Sequence, residues 1–282
     1  MRLVRFGPRG AEKPGILDSD GKVRDLSGAV ADIDGKTLSP EGLAGLRTIN
    51  PSSLPLAPAA QRIGACVGSV PNFLAIGLNY SDHAAESGMA IPAEPVVFNK
   101  HTSCVCGPND DLIMPPGSEK MDWEVEIAFV MGSPCWHVAV DDALKHVAGY
   151  FVCNDVSERA YQLERGGQWT KGKSYANFGP IGPWLVTSDE IPDPQTLGLW
   201  LDVNGQRFQT GNTGKMIFSV AEIVSYLSRH MQLVPGDIVT TGTPPGVGLG
   251  KKPPVFLKVG DTIRLGVDKL GVQEQRVTAY SK

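Results

Sequence analysis

Residues 122–130, Asp-Trp-Glu-Val-Glu-Ile-Ala-Phe-Val, limit most tightly what this chain can fold into. β-Branched and aromatic residues recur there with a period of two, the pattern of a strand. Trp123, Val125, Ile127 and Phe129 then share one face, and Glu124 and Glu126 share the other. Adjacent carboxylates on one face repel each other and resist burial. A bare Glu-x-Glu is most often a solvated strand face. If this strand is covered, something positive must sit between the two acids.

The 33 glycines and 22 prolines among 282 residues predict many turns and short strands rather than a helical bundle. Strands are expected at 1–6, 15–17 and 22–26, the last two around the Ser19-Asp20-Gly21 turn. A helix is expected over 38–46, and Pro51, Pro55 and Pro58 then mark an extended connection. Residues 1–68 read as a small N-terminal domain and 69–282 as the main one. In the main domain, strands are expected at 73–78, 96–100, 148–155, 238–241, 262–265 and 277–280. Asn204-Gly205 signals a hairpin. Helical spacing covers 219–230, a short helix is expected over 141–147, and 107–119 reads as a loop. The sum is a strand-rich α+β fold with few helices.

A net charge of -4 gives no electrostatic reason to expect nucleic acid. No run approaches about 18 apolar residues, so no membrane span is expected. No secretory apolar region follows the first residues. The 5 cysteines form no paired CxxC motif and read as reduced packing residues of a cytoplasmic protein.

Glu124, Glu126 and Asp155, the last at the end of the apolar strand 148–155, are candidate ligands for a divalent metal. All-oxygen ligation suits Mg²⁺, with Mn²⁺ as the alternative, and no His or Cys is placed beside them for zinc. His83 and Glu86 stand three apart on a predicted short helix, where a carboxylate can orient an imidazole and raise its basicity. A surface His–Glu pair is common, so this pair alone says little. Lys173 in a Gly-rich stretch is most often a solvated lysine, Arg159 reads equally as a surface charge, and Thr243-Pro244 reads as turn chemistry.

The joint order of the motifs says more. Gly77-Leu78-Asn79-Tyr80, His83 and Glu86 come first, then Glu124-x-Glu126. Asn154-Asp155-x-Ser157-x-Arg159 and Gly172-Lys173-Ser174 follow. Pro235-Gly236-Asp237 and Thr241-Gly242-Thr243-Pro244-x-Gly246-Val247-Gly248 complete the series. Over about residues 70 to 275 the chain resembles the fumarylacetoacetate hydrolase family. The resemblance implies a mixed β-roll, a homodimer and a Mg²⁺ or Mn²⁺ site. It implies cleavage of a carbon–carbon bond in an acylpyruvate or 2,4-diketo acid, including the 2,4-diketo-3-deoxy sugar acids. Decarboxylase, isomerase or ureidoglycolate lyase activity are alternatives within the family, and a non-catalytic metal-binding protein is an alternative outside that chemistry. By the same resemblance Glu124, Glu126 and Asp155 are metal ligands, and His83 and Glu86 activate water. Lys173 stabilises developing negative charge, and Gln162, Thr243 and Arg159 contact substrate. The polar stretch 162–170 is expected to offer hydroxyl-binding groups. Two positions depart from the family pattern. Upstream of His83, where larger members have a further carboxylate ligand, the stretch Ala75-Ile76-Gly77-Leu78 has none, so a water is expected there. Ala176 stands where many members have an aspartate, which leaves the support of Lys173 open.

Overall fold

The computed structural model describes residues 1–82 and 90–281. His83 and Glu86 lie outside the described residues. In chain order the first strands are β1 (Arg2–Phe6), β2 (Lys13–Leu17), β3 (Val23–Asp25), β4 (Phe73–Gly77), β5 (Val96–Lys100) and β6 (Val105–Cys106). Next come β7 (Leu112–Met114), β8 (Met121–Asp122), β9 (Val125–Met131), β10 (Val147–Asn154), β11 (Ser157–Glu158) and β12 (Gly179–Thr187). The last are β13 (Gly198–Val203), β14 (Gln206–Asn212), β15 (Ile238–Thr240), β16 (Thr262–Val267) and β17 (Gly271–Ala279). The large sheet runs β3-β2-β1-β12-β10-β9-β15-β4-β5, with β6 joined to β12. A second sheet runs β14-β13-β16-β17-β7, and β11 pairs β8 apart from both. Parallel pairs, such as β15 with β4 and β17 with β7, mix with antiparallel ones. The fold is the strand-rich α+β type expected. β1 pairs with β12, Leu3 opposite Leu185, so the first section hydrogen-bonds into the large sheet.

β9 and β10 are the centre of the molecule, buried along their whole lengths. Their apolar side chains join one core that also takes in Leu199, Leu201 and Leu265 of the second sheet. Trp123, just before β9, meets Phe208 of β14 edge to face with centroids 4.9 Å apart. Each such buried side chain contributes roughly 1.5–3 kcal/mol, enough to hold β9 under the second sheet. The other face of the strand is covered too. Glu124 is 6% exposed and Glu126 1%, so the solvated face that a bare Glu-x-Glu favours is not what the chain forms.

Local signals account for much of the rest. Asn204 and Gly205 both take positive φ, as a tight two-residue turn between β13 and β14 requires. The helix Val220–His230 starts at a Ser219–Glu222 capping box and buries Val220, Ile223, Val224 and Leu227. One expected loop is partly a strand: β7 lies within 107–119 and pairs parallel with β17. Three residues are too few for alternation to reveal, and only the distant partner makes them a strand. All five cysteines are free and buried. Among the described residues no helix is long and apolar enough to cross a membrane.

Candidate active site

Antiparallel pairing of β9 with β10 brings the acids together. Cys153 stands opposite Glu126 and Asn154 opposite Val125, and Asp155 N–H donates to the Glu124 carbonyl at 2.9 Å. Asp155 therefore leaves β10 beside the two glutamates. One ligand oxygen from each of Glu124, Glu126 and Asp155 lies within 4.8 Å of the others. The three expected ligands thus form one buried cluster on the floor of a cavity of about 730 Å³.

Here the ladder gives way to side chains. Glu124 N–H donates to Asn154 Oδ1, and Val125 N–H to Gln209 Oε1. Thr243 Oγ1 donates to the Val125 carbonyl, and Gln209 Nε2 in turn donates to Thr243 Oγ1. Buried backbone groups next to the acids that the ladder leaves unpaired are satisfied in this way. Glu126 Oε2 accepts from the Thr240 hydroxyl and from Gly242 N–H. Gly242 has φ +95°, a conformation that a residue with a side chain rarely takes, and this aims its N–H at the carboxylate.

Three cations answer the acids. Lys173 Nζ donates to Glu124 Oε2 and Asp155 Oδ2, both at 2.6 Å, and its side chain is 2% exposed. The solvated lysine common in Gly-rich stretches is not found, because the turn Thr170–Lys173 lies tight against the helix Arg159–Leu163. A Cβ on Gly172 would stand 2.4 Å from Gln162 N. The support of Lys173 comes from these two carboxylates rather than from position 176. Arg159 is buried as well, not a surface charge. Its Nε donates to Asp122 Oδ2, its Nη2 to Glu124 Oε1 and its Nη1 to Gln162 Oε1. All three guanidinium nitrogens are thus engaged within the protein, and Gln162 is held by one of them. The third cation, Lys100 at the end of β5, went unrecognised in the sequence. Its Nζ stands 2.7 Å from Asp155 Oδ1 and donates to the Lys173 and Val156 carbonyls.

The electrostatics are uneven. Burial pushes the Glu124 carboxyl up, but Lys173 and Arg159 outweigh it and hold it at about 2. Glu126 goes the other way, raised well above the ordinary range by burial and by the charges of Asp155 and Glu124. Burial disfavours the Lys100 ammonium, yet Asp155 reverses this and raises its pKa. The cluster thus has more negative charge than it comfortably holds. Asp155 Oδ1 is buried at ion-pair distance from Lys100, outside hydrogen-bonding angles, and has no hydrogen bond. An all-carboxylate donor set with such an oxygen fits a hard divalent ion.

Above the floor, Gln162 and Thr243 line the cavity, as do Ile76, Gly77 and Leu78, which bring no fourth carboxylate. The walls are largely apolar, with Phe98 and Trp169 packed edge to face at 5.2 Å, and with Leu163 and Leu249. Lys251 and Lys252 line it as well. Asp122 also went unnoticed in the sequence. Its oxygens accept from Arg159 and from the Gly248 and Leu249 N–H groups, tying the Gly-rich loop to the acids. Its place one residue before the Trp-Glu-Val-Glu run was the available signal.

The chain matches known proteins over most of its length. The family model described as fumarylacetoacetate (FAA) hydrolase C-terminal matches residues 72–278. A chain of Burkholderia orbicola, named provisionally as a hydrolase, is 62% identical over 98% of this chain and 98% of its own. The crystal structure of 2-hydroxyhepta-2,4-diene-1,7-dioate isomerase from Mycobacterium marinum is similar at 32% identity and TM-score 0.78, covering 100% of both chains. Maleylpyruvate hydrolase from Sphingobium sp. SYK-6, solved with manganese(II) and pyruvate, is similar at 28% identity and TM-score 0.83, again over 100% of both.

Proposed function

Because the chain belongs to the fumarylacetoacetate hydrolase family, a family with hydrolase and isomerase members, we propose that it is a metal-dependent carbon–carbon bond hydrolase. Its substrate in this reading is an acylpyruvate or other 2,4-diketo acid, and its products are pyruvate and a carboxylic acid. The observation that carries the reading is the convergence of Glu124, Glu126 and Asp155 beneath a cavity also lined by Lys173, Gln162 and Thr243.

Glu124, Glu126 and Asp155 would hold Mg²⁺ or Mn²⁺. A divalent ion there supplies Lewis-acid polarisation of a bound oxo group. Lys173 brings positive charge to the same place, where the oxyanion of the attacked carbonyl needs it. Gln162, oriented by Arg159, offers its amide to the substrate, and Thr243 stands on the cavity wall with its hydroxyl anchored to Val125. His83, paired with Glu86, is assigned the activation of water on the motif alone. The acyl arm faces Phe98, Trp169, Leu163 and Leu249. Stretch 162–170 thus contributes apolar side chains beside Gln162, which favours a hydrocarbon-like acyl group over the polyhydroxylated arm of a diketo sugar acid. Isomerisation is the second reading, favoured by the mycobacterial isomerase of the same fold. The protein is taken as a homodimer acting in the cytoplasm.

The test is a panel of 2,4-diketo acids with alkyl, aryl and polyhydroxylated acyl arms, assayed with Mg²⁺ or Mn²⁺ and again with chelator. Metal-dependent pyruvate release, fastest for the apolar arms, is the expected result. Carbon dioxide release or a shifted double bond without cleavage rejects hydrolysis. Full activity in chelator rejects the metal.

A further inference from the structure

The four oxygens of Glu124 and Asp155 are all approached by cationic groups. Arg159 takes Glu124 Oε1, Lys173 takes Glu124 Oε2 and Asp155 Oδ2, and Lys100 faces Asp155 Oδ1. A divalent ion using one oxygen from each acid must compete with at least one of these cations. Mg²⁺ sits roughly 2.0–2.1 Å from its ligands, so an ammonium cannot share that space.

The three cations are not equally free to move. Arg159 is also held by Asp122 and Gln162, neither of them a candidate ligand. Lys100 also donates to the carbonyls of Lys173 and Val156, and its side chain is fully enclosed. Lys173 is different, since Nζ bonds Glu124 Oε2, Asp155 Oδ2 and the Asp155 carbonyl, all on two candidate ligands. Its stem is a flexible chain, and its ammonium is already 5.3 Å from the Phe98 ring centroid, on the cavity wall. That ring face offers the released ammonium a second seat.

We infer that Lys173 is a resident counter-cation that occupies the place of the divalent ion and is displaced by it into the cavity, while Lys100 and Arg159 stay as fixed positioning residues for Asp155 and Glu124. The inference rests on the proposed metal site. With the ion absent, Lys173 is the cation that bridges Glu124 and Asp155, and removing a buried partner from such charges is strongly destabilising. When the ion enters, two charges replace one among the acids, and the freed ammonium swings toward the space the substrate fills. Loading the metal thereby also arms the lysine, and an anionic substrate meets a complete cationic site only afterwards.

Crystals of the full chain grown in EDTA and then soaked in MnCl₂ test this directly, by anomalous scattering and the position of Lys173 Nζ. The expected result is manganese at Glu124, Glu126 and Asp155, with Nζ withdrawn beyond hydrogen-bonding distance from both Glu124 and Asp155. Manganese at the three acids with Nζ still bonded to both overturns this inference and leaves the metal site standing. No manganese at the three acids overturns both. Calorimetric titration of the metal-free protein with MnCl₂ gives a second readout. K173M, having lost the competitor, should bind Mn²⁺ at least 10-fold tighter, whereas K100M should bind about 10- to 100-fold weaker, as loss of a ligand-orienting group does. Equal or weaker binding by K173M counts against displacement. Should K173M fail to fold, the wild-type crystals still decide.

Discussion

The chain builds two clusters of acids and bases, and they are resolved in opposite ways. In the N-terminal section Arg5 forks onto Asp32 through Nε at 2.6 Å and Nη2 at 3.0 Å. Arg62 forks onto Asp110 at 2.7 and 2.6 Å and reaches Glu12 with Nη1 at 2.8 Å. Geometry is matched there, since planar guanidinium meets planar carboxylate. Burial pushes Glu12 and Asp110 up, but the bonds from Arg62 win and both titrate below their ordinary values. In the central cluster one ammonium is split between Glu124 and Asp155, and Glu126 is driven up by burial and by its neighbours' charge. A satisfied cluster only holds the fold together. A cluster whose acids share an ammonium, with a third carboxyl driven up beside them, is shaped to receive a further cation from outside.

Glu126→Gln against Asp110→Asn is the sharpest test of that contrast, and carries the largest effect. Glu126→Gln should lower kcat/KM by at least about 10³-fold by removing a ligand charge. It should also raise the melting temperature measured in chelator, because it relieves a buried repulsion. Asp110→Asn should leave activity near wild type and cost about 1–2 kcal/mol of stability, since it strips Arg62 of a partner. Melting temperatures moving in the same direction for both variants would break the comparison.

Lys173→Met comes next. A group that acts on developing charge should lower kcat about 10²- to 10³-fold and change KM much less. Steady-state kinetics on the preferred diketo acid decide it, and a loss confined to KM would reduce Lys173 to a ground-state contact.

The smallest effect is the acid sensitivity of the N-terminal cluster. Glu12 and Asp110 have folded values depressed below the ordinary 4.5 and 3.8. Their contribution is therefore complete above those ordinary values and is lost as pH falls through the depressed ones. Arg62→Ala should flatten that acid limb of the melting curve and leave the region above pH 5 parallel to wild type. An unchanged acid limb would show that the matched cluster does not set it.

What could be read before folding and what could not divide along physical lines. Turn chemistry is local, so Asn204-Gly205, the Ser219–Glu222 cap and the short helix Pro40–Arg47 near its expected place were legible from neighbours alone. Alternation in 122–130 also determined that Glu124 and Glu126 share a face, and the order of motifs pointed to Asp155, Lys173, Gln162 and Thr243. The sequence could not tell that this face is buried, since its cover comes from Arg159, Lys173 and Thr240, which only the fold brings there. Nor could it distinguish Lys100, Asp122, Gln209 or Gln275 from ordinary polar residues, because an amide or ammonium earns its place only through a distant partner. Gln275 is an example: it accepts from Asn154, which holds Glu124, across 121 residues of chain. Residue identity determined which charges this protein carries. Only the tertiary packing decided which of them lost water, and a charge becomes a site when water can no longer answer it.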